Sequence, residues 1–327
     1  MSVNKQGWCF VGTGSIATSV LQDVPWLNIV SVVSGQYENA VRFAGQHGGI
    51  ACKTLDEALD VPGVTAVYIA TPHVMHAEQC IRALCRKKAV FCEKPLCVNA
   101  NQAEKIFTAA RLNNVFFSEA LWTRFMPATK EVRKWLAKGR IGEIRHITAD
   151  FSINIPLEGT RFLLPEMAAG SVLDGGVYPV SFSSMVMGGE QPELVYSSAK
   201  LTEQGVDLHI ASLLRYKNGV TASLHSGFDA YSPGNVLICG SKGRIVVNNI
   251  NGPRAAFLYG DDGSATEFTK NDKLIGLHYE FEAVERYIAE GMLEAPEIPH
   301  EESLGIIKTI DTIRQKAGII YPIEKEY

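Results

Sequence analysis

The 327-residue chain has no apolar run near the roughly 18 residues that span a bilayer as a helix, so no membrane segment is expected. Positive charge is not in excess either. Lys and Arg total 31 against 35 Asp and Glu, a formal net charge of −4, which removes the electrostatic basis for binding nucleic acid or an anionic membrane. The opening residues, MSVNKQGWCFVGTG, lack the layout of a signal peptide. Seven cysteines, at positions 9, 52, 80, 85, 92, 97 and 239, include no Cys-x-x-Cys pair. In a chain this long they read as reduced, mostly buried thiols of a cytoplasmic protein. Internal repeats and low-complexity tracts are also missing. What remains is an ordinary globular composition, 46% hydrophobic and 20% charged, at a length that suits two domains.

The first 120 residues alternate between short apolar runs and helical patterns. WCFVG, NIVSVVS, ACKT, VTAVYIAT, AVFCE and VFFSEA read as strands. SIATSVLQDV, ENAVRFAGQHG, DEALD, HAEQCIRALCRKK and NANQAEKIFTAARLN read as the helices between them. Such alternation implies βαβ units, a doubly wound parallel sheet buried on both faces. After about residue 140, EIRHITADFSI, ELVYSSAKLT, DLHIASLLRY, GVTASLHSGF, NVLICG and GRIVVNN follow one another with short turn signals, which predicts a mostly antiparallel sheet. GSVLDGGVYPVSFSSMVMGG reads as a helix between its first two strands; HYEFEAVERYIAEG and ESLGIIKTIDTIRQKAG read as two more near the end. The expected architecture is α/β: an N-terminal Rossmann domain over residues 1–122 and an α+β domain over 123–327.

Gly12-Thr13-Gly14-Ser15-Ile16-Ala17 has the pattern Gly-x-Gly-x-x-Ala between the first strand and the first helix. The first glycine permits a tight turn, the second lets backbone approach a pyrophosphate, and the small third residue allows close helix–strand packing. In this setting the pattern points to a dinucleotide, with a turn serving only packing as the alternative. About 20 residues further on, an acid would favour NAD and an arginine the extra phosphate of NADP. Val33-Ser34-Gly35-Gln36-Tyr37 supplies neither, although Ser34 and Gln36 can hydrogen-bond a ribose or phosphate and Arg42 is the nearest cation in sequence. The choice between NAD and NADP stays open.

Lys94 stands in Glu93-Lys94-Pro95 at the end of AVFCE, where ligands of doubly wound sheets bind. Pro95 restricts the lysine's backbone. A surface ion pair worth under about 1 kcal/mol is the competing reading. In VLDGGVYPV, Asp174 and Tyr178 are four apart and share a face if the segment is helical. Two glycines between them cost roughly 1 kcal/mol each in a helix, which suggests close approach of another group, plausibly a cofactor or substrate; a helix start with Asp174 as N-cap is the alternative. Reducing a carbonyl needs a proton donor, and the reverse reaction needs a base. A phenol of pKa near 10 serves only with help from a cation; a lysine about 4 Å away contributes up to about 4 kcal/mol at an effective dielectric of 20, and about 1.4 kcal/mol moves a pKa by one.

GTGSIA, ATPHVMH (70–76), CEKP (92–95), EALWTRFMP (119–127), LDGGVYPV (173–180) and the terminal GIIYPIE together resemble the glucose-fructose oxidoreductase/inositol dehydrogenase (Gfo/Idh/MocA) family. The resemblance is closest to its branch of dimeric dihydrodiol dehydrogenases and NADP-dependent xylose dehydrogenases. It implies a Rossmann domain plus an open-faced sheet domain, and a homodimer formed through that sheet. By resemblance Lys94 is the catalytic lysine, Tyr178 the proton donor or acceptor and Asp174 their partner. The cofactor-binding set is then Gly12, Thr13, Gly14, Ser15, Ile16, Ser34, Gly35, Ala70, Thr71, Pro72, His73, His76, Glu93, Lys94, Trp122 and Arg124. Lys94, Trp122, Phe151, Asp174 and Tyr178 face substrate. Two positions depart from the branch. Gly35 stands where NADP-using members tend to carry Arg, and Gly175 replaces a bulky apolar residue, which would loosen the helix start.

A zinc set of His73, His76, Cys80 and Cys85 fits no common spacing, so no metal is expected. Trp122 and Arg124 form either a stacked structural pair or, as a domain junction favours, part of a ligand site. Phe151 and Arg161 are weaker wall candidates, read more readily as packing and surface. The expectation is an NAD(P)-dependent oxidoreductase that interconverts a secondary alcohol or hemiacetal and its carbonyl on a sugar or cyclic diol. Its rivals are a deoxy- or anhydro-sugar reductase and a non-catalytic dinucleotide sensor.

Overall fold

The computed structural model describes residues 5–156 and 159–324; residues 1–4, where the opening MSVN lies, 157–158 and 325–327 are outside the description. Two compact units form. One runs to Trp122 and adds Lys273–Ser303; the other comprises Thr123–Asp272 and the chain from Leu304 onward.

In the first unit, six strands, β1 (Gly7–Val11), β2 (Asn28–Val33), β3 (Ile50–Cys52), β4 (Ala66–Ile69), β5 (Ala89–Glu93) and β6 (Phe117–Ala120), pair in parallel in the order β3-β2-β1-β4-β5-β6. This is the doubly wound order of dinucleotide-binding domains. The helices between them are α1 (Ser15–Asp23), α2 (Tyr37–His47), α3 (Leu55–Asp60), α4 (His76–Cys85) and α5 (Ala100–Asn113). Every residue of β1, β4, β5 and β6 is buried, as expected for strands covered on both faces.

The sequence pattern did not signal that Lys273–Ser303 returns to this unit. Phe281, at the start of the helix His278–Ala289, packs edge-on to Trp8, Tyr68 and Phe91 with ring centroids 5.6, 5.2 and 5.2 Å apart. The buried Asp23 carboxylate accepts backbone hydrogen bonds from Ile275, Gly276 and His278 at 2.8–3.1 Å, so the segment's entry is pinned as well as its apolar face.

The second unit carries α6 (Pro127–Ala137), which opens on a proline at its first turn, and an eight-stranded sheet. Its strands are β7 (Ile144–Ser152), β8 (Leu194–Leu201), β9 (Asp207–Arg215), β10 (Thr221–Gly227), β11 (Val236–Gly240), β12 (Gly243–Asn248), β13 (Ala255–Gly260) and β14 (Ala265–Thr269), in the order β14-β13-β12-β11-β7-β10-β9-β8. All pairings are antiparallel except β7–β10. The helix read across 170–189 is two helices, α7 (Ser171–Asp174) and α8 (Val177–Val186), with a corner at Gly175-Gly176. Both pack on the β7, β9 and β10 region, while α6 packs on β13 and β14. The helix α9 (His278–Ala289) precedes α10 (His300–Ala317), within which the division between the units falls. Neither α6 nor the strands β13 and β14 were anticipated; β14 is almost wholly exposed and so lacks the alternation that marks a half-buried strand.

Phe281→Ala should destabilise the protein by about 3–5 kcal/mol, because three aromatic rings lose a shared partner. Urea unfolding followed by tryptophan fluorescence checks this; a loss under about 1 kcal/mol would show that residues 273–303 contribute little to the first core.

Candidate active site

Because β1, β2, β4 and β5 pair in parallel, their carboxyl ends lie along one edge. Gly12 follows β1 with φ +100°, donates to Val33 O at 2.8 Å, and lies so near β4 that a Cβ would come 2.6 Å from Ala70 O. Thr13 Oγ1 and Ser34 Oγ are 3.0 Å apart. Gly14 and Gly35 are different: a Cβ at either would meet nothing within 4 Å. Gly14 is the N-cap of α1, which has neither a side-chain cap nor an acid in its first turn. An exposed glycine at an uncapped helix start leaves room and N–H groups for a phosphate, so the residues present fit a dinucleotide. Ser15 is exposed, Ile16 half-buried and Ala17 fully buried against the sheet.

The loop after β4 joins the loop after β5 through His76. Its Nε2 is 2.8 Å from Thr71 O, and its Nδ1 lies 3.1 and 3.3 Å from Pro95 O and Leu96 O. Burial outweighs these carbonyls and lowers the ring's pKa to about 4, so at neutral pH the ring is uncharged and its single N–H donates on one side only, to Thr71 O or to the Pro95 and Leu96 carbonyls. His73 is buried in the turn that starts after Pro72, and Thr71 Oγ1 donates to Gln79 Oε1 at 2.6 Å. His76 is committed to carbonyls, and among the described residues no group of three or more His, Cys, Asp or Glu side chains is arranged so that it could hold a metal ion.

Lys94 is half-buried at the end of β5, and its peptide bond to Pro95 is cis. The loop beyond it is held by Glu119 of β6, whose Oε1 accepts from Leu96 N at 3.1 Å while Oε2 accepts from Ser303 Oγ. Glu93 is buried and accepts a 2.6 Å hydrogen bond from Tyr68 Oη. Burial pushes its carboxyl up to about 7, against the Tyr68 bond and the Lys94 charge, which favour the ionised form. Tyr68 and Glu119 are the supporting residues missed from sequence; a tyrosine within the aliphatic core of the strand, AVYIA, was the available signal.

In the second unit Tyr178 is buried on α8, its ring 5.3 Å from Phe151 of β7 in an edge-on contact, and Asp174 is half-buried at the end of α7. The groups that approach the intervening glycines are the sheet and, at Gly176, the backbone of α7 as well. A Cβ on Gly175 would stand 2.9 Å from Phe151 Cδ1, and one on Gly176 would stand 2.5 Å from Val172 O and 3.0 Å from Ser226 Oγ. Thus Phe151 fills the space a larger residue at 175 would take, and the corner is tight where a loosened one was expected. Arg124 is fully buried; its Nε donates to Ser181 Oγ and its Nη2 to Ser181 O, both at 2.8 Å, so the guanidinium is anchored to α8. Trp122 is half-buried in the turn Trp122–Arg124, and Arg161 is exposed with its guanidinium over the Phe162 ring.

A doubly wound sheet with an open glycine turn, joined in one chain to a separate eight-stranded sheet, defines a two-unit dinucleotide-dependent oxidoreductase. The chain belongs to the GFO/IDH/MocA family: the model of the oxidoreductase family's NAD-binding Rossmann fold matches residues 7–121, and that of the GFO/IDH/MocA C-terminal domain matches 129–246. It is 31% identical to trans-1,2-dihydrobenzene-1,2-diol dehydrogenase of Homo sapiens over 97% of this chain and 98% of that one, and 31% identical to the Xenopus tropicalis protein of the same name over 97% and 99%. Among solved structures, the 3-ketoreductase KijD10 of Actinomadura kijaniata, in complex with NADP and TDP-benzene, superposes with a TM-score of 0.85 at 28% identity over 97% of this chain and 99% of that one. Solved variants of that ketoreductase replace one lysine or one tyrosine that are 84 positions apart, the separation of Lys94 and Tyr178 here.

Glu93 binds its proton more tightly in the folded chain, so its contribution to stability is complete below about pH 4.5 and is lost as pH rises through about 7. The displacement corresponds to roughly 3 kcal/mol at most. Glu93→Gln should therefore flatten the fall of unfolding free energy between about pH 5 and 8, measured by urea titration at a series of pH values. An unchanged slope would mean that Glu93 ionises as it does in the unfolded chain.

Proposed function

We propose that the chain is an NAD(P)-dependent oxidoreductase that interconverts a secondary alcohol or hemiacetal with its carbonyl on a sugar or cyclic diol, with Lys94, Asp174 and Tyr178 as its catalytic residues. The observation that carries the reading is the glycine turn at Gly12–Gly14, open at Gly14, on the same strand edge as Lys94. A nicotinamide, when bound, supplies or accepts the hydride. The chain's own residues handle the proton. Tyr178 donates it to the developing alkoxide or removes it from the alcohol, Lys94 lends the positive charge that makes a phenol competent near neutral pH, and Asp174 orients the lysine or the substrate hydroxyl. The Gly12, Thr13, Gly14, Ser15 and Ile16 turn, with Ser34 and Gly35, is assigned to the dinucleotide phosphates and ribose; Ala70 to His73, His76, Glu93 and Trp122 to the nicotinamide side. Phe151 and Trp122 are assigned to the substrate wall. The dihydrodiol dehydrogenase and ketoreductase names among the relatives support a diol or sugar-like substrate.

We further assign a homodimer built on the face of the eight-stranded sheet opposite α7 and α8. Tyr196, Leu213, Ser223, Thr148, Leu237, Val246 and Phe257 form one row in register across seven strands, and Tyr196 and Leu213 are 62% and 44% exposed. Five of the seven are aliphatic or aromatic, and such residues on a solvent-facing sheet suit an interface. None of the seven cysteines is in a disulfide, which supports a cytoplasmic assignment, and among the described residues no helix is long and apolar enough to cross a membrane.

Tyr178→Phe should lower turnover about 100-fold or more while leaving NADH and NADPH affinity, read by nicotinamide fluorescence, within about 2-fold. Turnover equal to the parent's would overturn the proton-transfer assignment, and cofactor binding without turnover on any sugar or diol would favour a sensor. Leu213→Glu should convert a dimer to monomer in sedimentation, since a charge buried without a partner costs several kcal/mol; a dimer that persists places the interface elsewhere.

A further inference from the structure

Asp207 opens β9 and is wholly buried, yet nothing in the proposed chemistry uses it. Its Oδ2 accepts hydrogen bonds from Ser171 Oγ at 2.7 Å and from Val172 N at 2.8 Å, the first two residues of α7. Ser171 Oγ lies also 3.2 Å from Ser226 Oγ of β10. The residue in the N-cap position of α7 is Gly170, which offers no side-chain cap. Its φ is +129°, and a Cβ there would fall 2.1 Å from Asp207 Oδ1. The carboxylate therefore occupies the seat of the missing cap, supplied by a residue more than thirty positions away in the chain.

What α7 carries gives this arrangement its significance. The helix is four residues long and ends on Asp174. Gly175 N and Gly176 N both donate to Ser171 O, at 2.9 and 2.8 Å, and Tyr178 N donates to Gly175 O at 3.1 Å. A helix of one turn has no propagation to stabilise it, so its place depends on what grips its ends. A shift of Ser171 passes through two hydrogen bonds to the glycine corner and from there to Tyr178. Burial raises the Asp207 carboxyl to about 6, with the Ser171 and Val172 bonds opposing it, so near neutral pH it is the ionised group that grips the helix. The charged and titratable groups beside it are Arg314 of α10 and Tyr321; Arg314 is itself paired with Asp311 and Glu324. Asp207 Oδ1 has no hydrogen-bond partner among the described residues.

We propose that Asp207 is a positioning residue for the proton-transfer step: by capping α7 across the fold, it holds the Asp174–Tyr178 corner in register for catalysis. The inference rests on the assignment of Asp174 and Tyr178 above. Asp207→Ala, Asp207→Asn, Ser171→Ala and Tyr178→Phe are compared by steady-state kinetics on a sugar and diol panel, with cofactor affinity by nicotinamide fluorescence and folding by thermal melts. Asp207→Ala should lower kcat about 10- to 100-fold with KM and cofactor affinity within about 3-fold, since a misplacement near 1 Å is enough for such a loss. Asp207→Asn keeps an oxygen able to accept both bonds and should return kcat to within about 5-fold of the parent, while Ser171→Ala, which removes one donor, should lose about 3- to 10-fold. If Asp207→Ala does not fold, the asparagine and serine variants carry the comparison. Parent-like kcat in Asp207→Ala and Ser171→Ala, or losses that only follow the folded fraction, would overturn the inference while Tyr178→Phe still reports on the catalytic reading. Unchanged turnover in Tyr178→Phe would overturn that reading itself.

Discussion

The turn after β1 runs so close to the Ala70 carbonyl that no side chain fits at Gly12, and the rest of the first unit's functional edge follows from that contact. With Gly12 N bonded to Val33 O and Ala70 N to Val11 O, the ends of β1, β2 and β4 are tied at one level. Thr13 meets Ser34 there, and His76 extends the connection to Pro95, next to Lys94. Parallel pairing makes this possible, because it sends every strand's carboxyl end to the same side. Gly14 has the opposite character: its missing side chain relieves no contact within the protein, which is what a turn built to receive a phosphate requires.

Both units bury ionisable side chains where an apolar one would cost less. Glu93 stands beside Lys94 in contact with Tyr68, Arg124 clamps α8 through Ser181, and Asp207 clamps α7 through Ser171 and Val172. Ionised groups out of water are costly unless hydrogen bonds replace the lost hydration, and each of these makes strong ones to residues adjoining the proposed chemistry. The buried charges thus fix short elements that intrinsic propensity alone would leave loose. A four-residue helix followed by two glycines is such an element; an isolated surface ion pair would not hold it.

Much of the fold was legible. Alternation of apolar runs with helical patterns is a local property, and it identified the strands and helices up to β6 as well as the antiparallel run from β7 to β12. The return of residues 273–303 to the first unit was not legible, because the apolar stripe of α9 reads alike whichever sheet receives it; only the meeting of Phe281 with Trp8, Tyr68 and Phe91 decides. Position 207 carried a faint signal, an acid between Val206 and Leu208 at the head of an apolar strand, but the same pattern describes a solvated turn. Gly175 and Gly176 were read as marking close approach of another group, plausibly a cofactor or substrate; the groups that lie against them in the fold are Phe151, the Val172 backbone and Ser226.

The amino-acid sequence by itself determined the order and type of most elements and the glycine turn between the first strand and the first helix, since each depends on neighbours within a few residues. Tertiary structure alone decided which buried groups support them. Tyr68 and Glu93, Glu119 and Leu96, Arg124 and Ser181, and Asp207 and Ser171 are each separated by 23 to 57 positions. Hydrogen bonds between such partners depend on sheet register and on which face a helix covers, and no local pattern encodes either.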